Sequence, residues 1–139
     1  MQKPTITGNS IAIPSSQDYL ADVDNFIEGR LLEFGLEKSV IADIAISVTE
    51  MVINGIIHGN KSIPNKAVTI ALEKKDDAVE ITITDQGAGF DPETIDNPID
   101  EKNLLKEVGR GIFIVKSLMD RVDIRPTPEG TEVTLVKNI

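Results

Sequence analysis

The amino-acid sequence predicts an α+β fold, a two-layer sandwich in which helices pack on one face of a mixed, largely antiparallel sheet. Two long apolar helical patterns come early in the chain, and short alternating strand patterns follow as neighbouring pairs joined by polar turns. The chain has 139 residues, of which 40% are apolar. This is the length of one domain with its own core, which we assign to residues 1–139.

The N-terminal part is predicted to contain one strand and two helices. Weak alternation predicts a strand over Thr5 to Ile13, which ends at a proline. Ser15 and Ser16 are candidate N-caps for a helix from Gln17 to Phe34. A second helix is predicted from Glu37 to His58, where Gly59 and Asn60 would end it.

The C-terminal part is predicted to contain two strand pairs and one helix. The strands are predicted over Val68 to Lys74, Val79 to Thr84, Val122 to Arg125 and Glu132 to Lys137. The helix is predicted over Gly111 to Met119. Between the pairs lie a glycine-rich loop, Asp85 to Pro92, and a polar segment, Pro92 to Val108.

Composition excludes several classes of function. The sequence has no Cys, which excludes disulfides, thiolate metal sites and a cysteine nucleophile. Its formal net charge of −9 argues against a nucleic-acid partner, because the phosphate backbone would be repelled. Met1 to Ser10 lack a signal-peptide pattern and no run of 18 apolar residues occurs, so we expect a cytoplasmic protein without a membrane span.

The second predicted helix carries a narrow polar stripe. At about 100° per residue, Asp43, Ser47, Glu50, Asn54 and His58 fall within a sector of roughly 80° on a mainly apolar helix. Such a stripe can simply be the solvated face. However, it contains no Lys or Arg, and its oxygen-bearing side chains one turn apart could address a hard cation.

Two glycine-containing loops form a second signal. Asp85-Gln86-Gly87-Ala88-Gly89 follows a predicted strand, where the glycines would allow a ligand close to the backbone and Asp85 could accept from an exocyclic amine such as that of adenine. A β-turn is an alternative interpretation, whereas a calcium loop would need further ligands that this segment lacks. Gly109-Arg110-Gly111 opens a predicted helix, where free N–H groups and the arginine would favour phosphate, although simple helix capping explains this loop equally well.

Together these segments resemble the GHKL ATPases, the superfamily of gyrase, Hsp90, histidine kinases and MutL. Glu50-x-x-x-Asn54-x-x-x-His58-Gly59 is similar to the N box, and Asp85-x-Gly87-x-Gly89 and Gly109-Arg110-Gly111 are similar to the two glycine boxes. Gly130-Thr131 is similar to the closing box. The run from Gly109 to Asp120 and the small size most resemble the anti-sigma-factor serine/threonine kinases of bacterial partner-switching systems. The resemblance implies the Bergerat type of sandwich.

The resemblance also implies roles for individual residues, with ATP and Mg²⁺ as ligands. Glu50 would be the catalytic base and Asn54 the Mg²⁺ ligand, and His58 would lie in the nucleotide site. Asp85 would bind the adenine amine with help from Thr131.

The glycine boxes and a lid would complete the site. Gly87 and Gly89 would let the backbone pass the nucleotide, and Gly109, Arg110 and Gly111 would border the phosphates. Residues of about 92–108 would form an ATP lid that orders on nucleotide binding, with Lys102 and Lys106 as candidate phosphate contacts. Gly55 stands where the family more often has Ala, which predicts a locally softer helix.

The implied function is that of a protein serine/threonine kinase acting in trans. It would phosphorylate an anti-anti-sigma protein of the STAS fold and, when bound to ATP, sequester a sigma factor; a homodimer is left open. The single His lies within the nucleotide motif, which argues against autophosphorylation as in histidine kinases, and the chain has no length for a gyrase-like transducer domain. The alternative is a nucleotide-dependent module that sequesters a partner without phosphotransfer, and Glu50 favours the kinase over it. A structural adaptor without ATP binding is disfavoured because all four motifs are present.

Overall fold

The computed structural model describes residues 3–87 and 109–139. The helical elements are a 3₁₀ turn over Gln17–Tyr19, α1 over Leu20–Glu33, α2 over Lys38–Asn54 with a π-helical turn over Gly55–Gly59, and α3, described over 109–118. The strands are β1 Thr5–Thr7, β2 Ser10–Pro14, β3 Ala67–Lys74, β4 Ala78–Thr84, β5 Arg121–Thr127 and β6 Gly130–Asn138.

The strands form one six-stranded sheet in the order β1-β2-β3-β4-β6-β5, and every described pairing is antiparallel. Alternate residues of the central strands are buried, as Val68, Ile70 and Leu72 show in β3. This period of two is typical of a sheet covered on one side. The predicted α+β class, with helices on one face of the sheet, is confirmed.

The helices bury stripes that match their 3.6-residue period. In α1 the buried side chains are Val23, Phe26, Ile27 and Leu31, and in α2 they include Ile41, Ile44, Val48, Met51 and Val52. These side chains join Val115 and Met119 of the α3 region and the buried strand residues in one hydrophobic cluster. The core therefore lies between the helical layer and the sheet, and the ends of α2 and β4 meet beside it.

Lys38–Gly59 has the length and composition of a membrane-crossing helix, with a mean hydropathy of 1.8 over its best window; it is the one such helix among residues 3–87 and 109–139. Its side chains Ile44, Val48 and Val52 are at most 1% exposed and pack in the core between the layers. Packing against the sheet therefore accounts for the apolar character of this helix.

Two element predictions need correction. The single strand predicted over Thr5 to Ile13 is a hairpin of β1 and β2, because the chain turns at Gly8, whose φ of 58° suits glycine. The second helix does not stay α-helical to His58, since its last turn, from Gly55 onward, widens into a π-helical turn. The change begins at Gly55, the position predicted to be softer. A smaller difference concerns α3, which is already helical at residue 109 rather than starting at Gly111.

Candidate functional site

A cleft opens between the C-terminal half of α2, α3 and the ends of β4 and β6. Four of the predicted site residues line it, namely Asn54, His58, Asp85 and Thr131. The other lining residues are mostly apolar: Met51, Gly55, Gly59, Ile83, Ile112, Ile124 and Val133. The cleft thus has apolar walls with a small set of polar groups on them, which is the usual composition of a small-molecule site.

Asp85 places a buried carboxylate in this cleft. Its backbone N–H donates to the carbonyl of Thr131 at 3.0 Å, which continues the β4–β6 pairing by one residue. Its Oδ1 accepts from the backbone N–H groups of Gly87 at 3.0 Å and Thr131 at 3.1 Å. Both hydrogen bonds that described residues donate to the carboxylate therefore go to one oxygen, Oδ1.

Burial also sets the electrostatic state of this carboxyl group. Asp85 is 7% exposed. Loss of hydration raises the pKa of Asp85 above its ordinary value, and the two backbone hydrogen bonds and the charge of Lys66 oppose that rise. A carboxylate held in apolar surroundings gains more from a hydrogen-bond donor than one in water does.

Glycines make room for Asp85 on several sides. A Cβ at Gly59 would overlap the Asp85 carboxylate, and a Cβ at Gly130 would overlap its carbonyl oxygen. At Gly55 a Cβ would lie 3.6 Å from the Cβ of Asp85. Sequence analysis gave Gly59 and Gly130 no role of their own, because only the fold brings residues 59, 85 and 130 to one point.

The other end of the cleft lies where α3 meets α2. A Cβ at Gly111 would be 3.2 Å from Oε2 of Glu50 and 3.4 Å from Nδ2 of Asn54. Gly111 therefore lets α3 lie directly over these two side chains, which one helical turn of α2 places side by side. The structure brings the N-box-like and second glycine-box-like segments together at this contact.

The remaining predicted positions divide into three groups. Gly87 lies against the end of α2, where a Cβ would overlap the carbonyl of Gly59. Gly109 and Arg110 are exposed within α3, and a Cβ at Gly109 would meet nothing within 4 Å. Gly89, Lys102, Lys106 and the predicted lid at about 92–108 lie outside the described residues.

The polar stripe of α2 does not act as one surface. Ser47 is fully buried and its hydroxyl donates to the carbonyl of Asp43 at 2.8 Å, a bond within the helix. Asp43 pairs with Lys137 of β6, whose Nζ also donates to the carbonyl of Leu118 at 2.6 Å. The first part of the stripe therefore joins α2, α3 and β6, and of the whole stripe only Asn54 and His58 line the cleft.

The residues present fit a purine nucleotide. Flat apolar walls suit a base, and the glycine-cradled carboxylate of Asp85 suits its exocyclic amine. Residues 3–87 and 109–139 contain no cluster of three or more His, Asp or Glu that could hold a metal ion. A Mg²⁺ ion would therefore take Asn54 together with phosphate oxygens and water, as is usual for this ion.

Sequence reasoning missed Asn60, which is fully buried just beyond the π-helical turn. Its side-chain carbonyl accepts from the backbone N–H of Gln86 at 2.7 Å, next to Asp85. An amide directly after a helix end is often exposed, so only its burial marks this residue.

Comparison with known proteins agrees with this description. The family model for the histidine kinase-like ATPase domain matches residues 13–137. Serine-protein kinase RsbW of Staphylococcus aureus is 32% identical over 134 residues, covering 91% of this chain and 84% of the relative. Serine-protein kinase RsbW of Staphylococcus epidermidis is 30% identical with the same coverage of both chains.

Two solved structures share the fold. A crystal structure of the RsbU and RsbW domains of a Mycobacterium tuberculosis protein superposes with a TM-score of 0.63 at 19% identity, covering 98% of this chain and 32% of that one. The histidine kinase domain of a blue-light-activated histidine kinase from Erythrobacter litoralis gives a TM-score of 0.55 at 15% identity, covering 90% and 61%. The chain thus spans about a third of the first of these structures and less than two thirds of the second.

Proposed function

We propose that this chain, which belongs to the histidine kinase-like ATPases and has serine-protein kinases among its relatives, is an ATP-dependent serine/threonine kinase that acts on another protein. The observation that carries the proposal is the arrangement of the cleft. Asp85 lines one end of the cleft and Asn54 the other, and Asn54 lies beside Glu50 under Gly111 of α3. A nucleotide with its base on Asp85 and its phosphates toward Gly111 would match that polarity.

Asp85 selects the base in this proposal. Its Oδ2 accepts from the exocyclic amine of adenine, while Oδ1 is held by the N–H groups of Gly87 and Thr131. The hydrogen bond is charge-assisted because the acceptor is ionised. The apolar side chains Ile83, Ile112 and Val133 cover the faces of the base and exclude water from this contact.

Phosphoryl transfer takes place at the other end. The bond between the γ-phosphorus and the β–γ bridging oxygen of ATP breaks, and a new bond forms from that phosphorus to a serine or threonine hydroxyl oxygen of the partner. The hydroxyl proton passes to the carboxylate of Glu50, and ADP leaves with the former bridging oxygen. A bound Mg²⁺ would neutralise phosphate charge during this transfer. Asn54 would hold that Mg²⁺ through its amide oxygen.

The relatives support the type of phosphoacceptor. Since they are named serine-protein kinases, we propose a serine or threonine as phosphoacceptor, and from the motif resemblance we place it on an anti-anti-sigma protein of the STAS fold. A sigma factor would be the second partner, held by the ATP-bound form in the cytoplasm. The net charge of −9 favours protein partners over a direct contact with nucleic acid.

Single-turnover phosphorylation of a STAS partner with labelled ATP tests the proposal. Transfer of label to a serine or threonine of the partner supports the kinase. Tight ATP-dependent binding of the partner without transfer supports the alternative, a module that sequesters its partner. Absence of ATP binding contradicts both.

A further inference from the structure

The end of α2 is tied to the start of the glycine-rich loop by a buried hydrogen-bond network centred on Asn60. The Nδ2 group of Asn60 donates to Oγ of Ser15 at 2.8 Å and to the carbonyl of Ala67 at 3.0 Å, and its Oδ1 accepts from the N–H of Gln86. Ser15 in turn donates to the carbonyl of Lys66 at 2.5 Å. One fully buried side chain thus joins the residue after β2, the first residue of β3 and the residue after Asp85.

A second connection joins Gln86 and Ala67 directly. The side-chain Oε1 of Gln86 accepts from the backbone N–H of Ala67 at 2.7 Å. Gln86 is therefore held on both sides, through its backbone by Asn60 and through its side chain by Ala67. Because Asp85 and Gly87 are its direct neighbours, this double attachment fixes the backbone on which the Asp85 carboxylate is carried.

The backbone around Asn60 departs from regular structure. The π-helical turn before it is a rare form that occurs often at functional sites. After it, Lys61 and Ser62 have φ values of 54° and 56°, in the left-handed region that side chains other than glycine rarely adopt. The N–H of Ser62 nevertheless bonds to the carbonyl of Ile56 at 2.7 Å, which holds the chain in this path.

This geometry directs Asn60 inward. An α-helix continued to residue 60 would place its side chain elsewhere on the helix, whereas the wider turn points it between Ser15 and Gln86. Burying an amide costs little free energy when all its donor and acceptor atoms form hydrogen bonds. Each atom that loses its partner adds the free energy of its desolvation. The network therefore connects the end of the second helix to the loop through satisfied hydrogen bonds.

We propose that Asn60 is a positioning residue for base recognition, which acts through Gln86 to hold the Asp85 carboxylate at the angle and depth that distinguish adenine from guanine. The inference rests on the proposed nucleotide site. Guanine presents a carbonyl oxygen where adenine presents an amine, so a fixed carboxylate binds adenine and repels guanine. If the loop is loosened, the carboxylate discriminates much less between adenine and guanine.

The test is the ratio of the dissociation constants for GTP and ATP, measured by calorimetry on the full chain. Asn60→Leu keeps the approximate size of the side chain but removes all three of its hydrogen bonds, including the one that the N–H of Gln86 donates. We expect the dissociation constant for ATP to rise about tenfold and the GTP-to-ATP ratio to fall by a similar factor. The free energy of a buried hydrogen bond corresponds to a change of about this size. Gln86→Ala removes only the hydrogen bond that the N–H of Ala67 donates to the exposed Gln86 side chain. It should lower the GTP-to-ATP ratio by a smaller factor.

Ser47→Ala is the matched control. Ser47 is as buried as Asn60, but its hydroxyl bonds within α2, away from the loop. This variant should lose stability without any change in the ratio. If Asn60→Leu does not fold, the ratio for Gln86→Ala decides the question.

The role of Asn60 would be overturned if the wild-type chain binds ATP and the variants at Asn60 and Gln86 both keep its GTP-to-ATP ratio. Failure of the wild-type chain to bind ATP would instead contradict the proposed function.

Discussion

Replacement of Asp85 by Asn separates the requirements of ligand binding from those of folding. Asn keeps the size of the side chain, and its Oδ1 can still accept from the N–H groups of Gly87 and Thr131. What changes is Oδ2, where a charged acceptor becomes an amide donor. ATP binding should therefore weaken although the structure around the residue is retained.

The magnitude follows from the kind of hydrogen bond that is lost. A hydrogen bond to a charged group contributes about 1.5–3 kcal/mol, which corresponds to a rise of about 10- to 150-fold in the dissociation constant. We expect the upper part of this range, because Asp85 is 7% exposed and apolar side chains surround the contact. Isothermal titration calorimetry with ATP measures it directly.

The stability of Asp85→Asn should not fall together with its ATP affinity. Burial raises the pKa of Asp85, so the folded chain binds this proton more tightly than the unfolded chain does. The contribution of this group to the free energy of unfolding therefore falls as pH rises from its ordinary pKa through its raised value. At neutral pH, Asp85→Asn should be at least as stable as wild type, and the difference should disappear at acid pH.

The pH dependence of binding provides an internal check. Wild-type ATP affinity should fall as pH drops toward the raised pKa of Asp85, while the variant should lack this component. Comparing the two proteins at each pH cancels the titration of the nucleotide itself. Wild-type affinity in Asp85→Asn, or reduced affinity explained entirely by unfolding, would remove Asp85 from the base site.

The remaining predictions concern glycine packing, the metal side of the cleft and the core. Gly59→Ala should lower stability by about 1–3 kcal/mol and weaken ATP binding, because its Cβ overlaps the Asp85 carboxylate, whereas Gly29→Ala, with open space around it, should be neutral or stabilising in urea denaturation. Asn54→Ala should reduce the Mg²⁺-dependent part of ATP affinity and abolish phosphotransfer; normal transfer would show that another residue serves the metal. Ile44→Ala, at a fully buried position of α2, should cost about 2–5 kcal/mol in the same denaturation assay, and a cost below 1 kcal/mol would contradict its place in the core.

Much of the fold could be predicted because local patterns and tertiary packing agree. The period-two burial of β3 and the stripe of α1 follow directly from their sequences. The β1–β2 hairpin was predicted wrongly as one strand, although Gly8 and Asn9 form a turn signal within it. A weak alternation on both sides of a two-residue turn is compatible with either interpretation.

Sequence motifs predicted only part of the candidate site. Spacing along one helix placed Glu50 beside Asn54, and a strand end placed Asp85 at the edge of the sheet. No local signal indicated that Gly59 and Gly130 enclose Asp85, or that Asn60 is buried, since these contacts join distant parts of the chain. Ser47 has the same position on the helical wheel as the site residues, yet its burial gives it a structural role.

The rate of a single turnover tests the central claim, that this cleft transfers phosphate with Glu50 as the base. The measurement uses saturating ATP, a STAS partner, the wild type and Glu50→Gln, a variant that keeps the side chain's size but cannot accept a proton. We expect nucleotide and partner affinities close to wild type and a transfer rate reduced about 10²–10⁴-fold, the usual contribution of a positioned base. A variant rate within a few-fold of wild type would contradict the role of Glu50, and no transfer by the wild type would contradict the kinase itself.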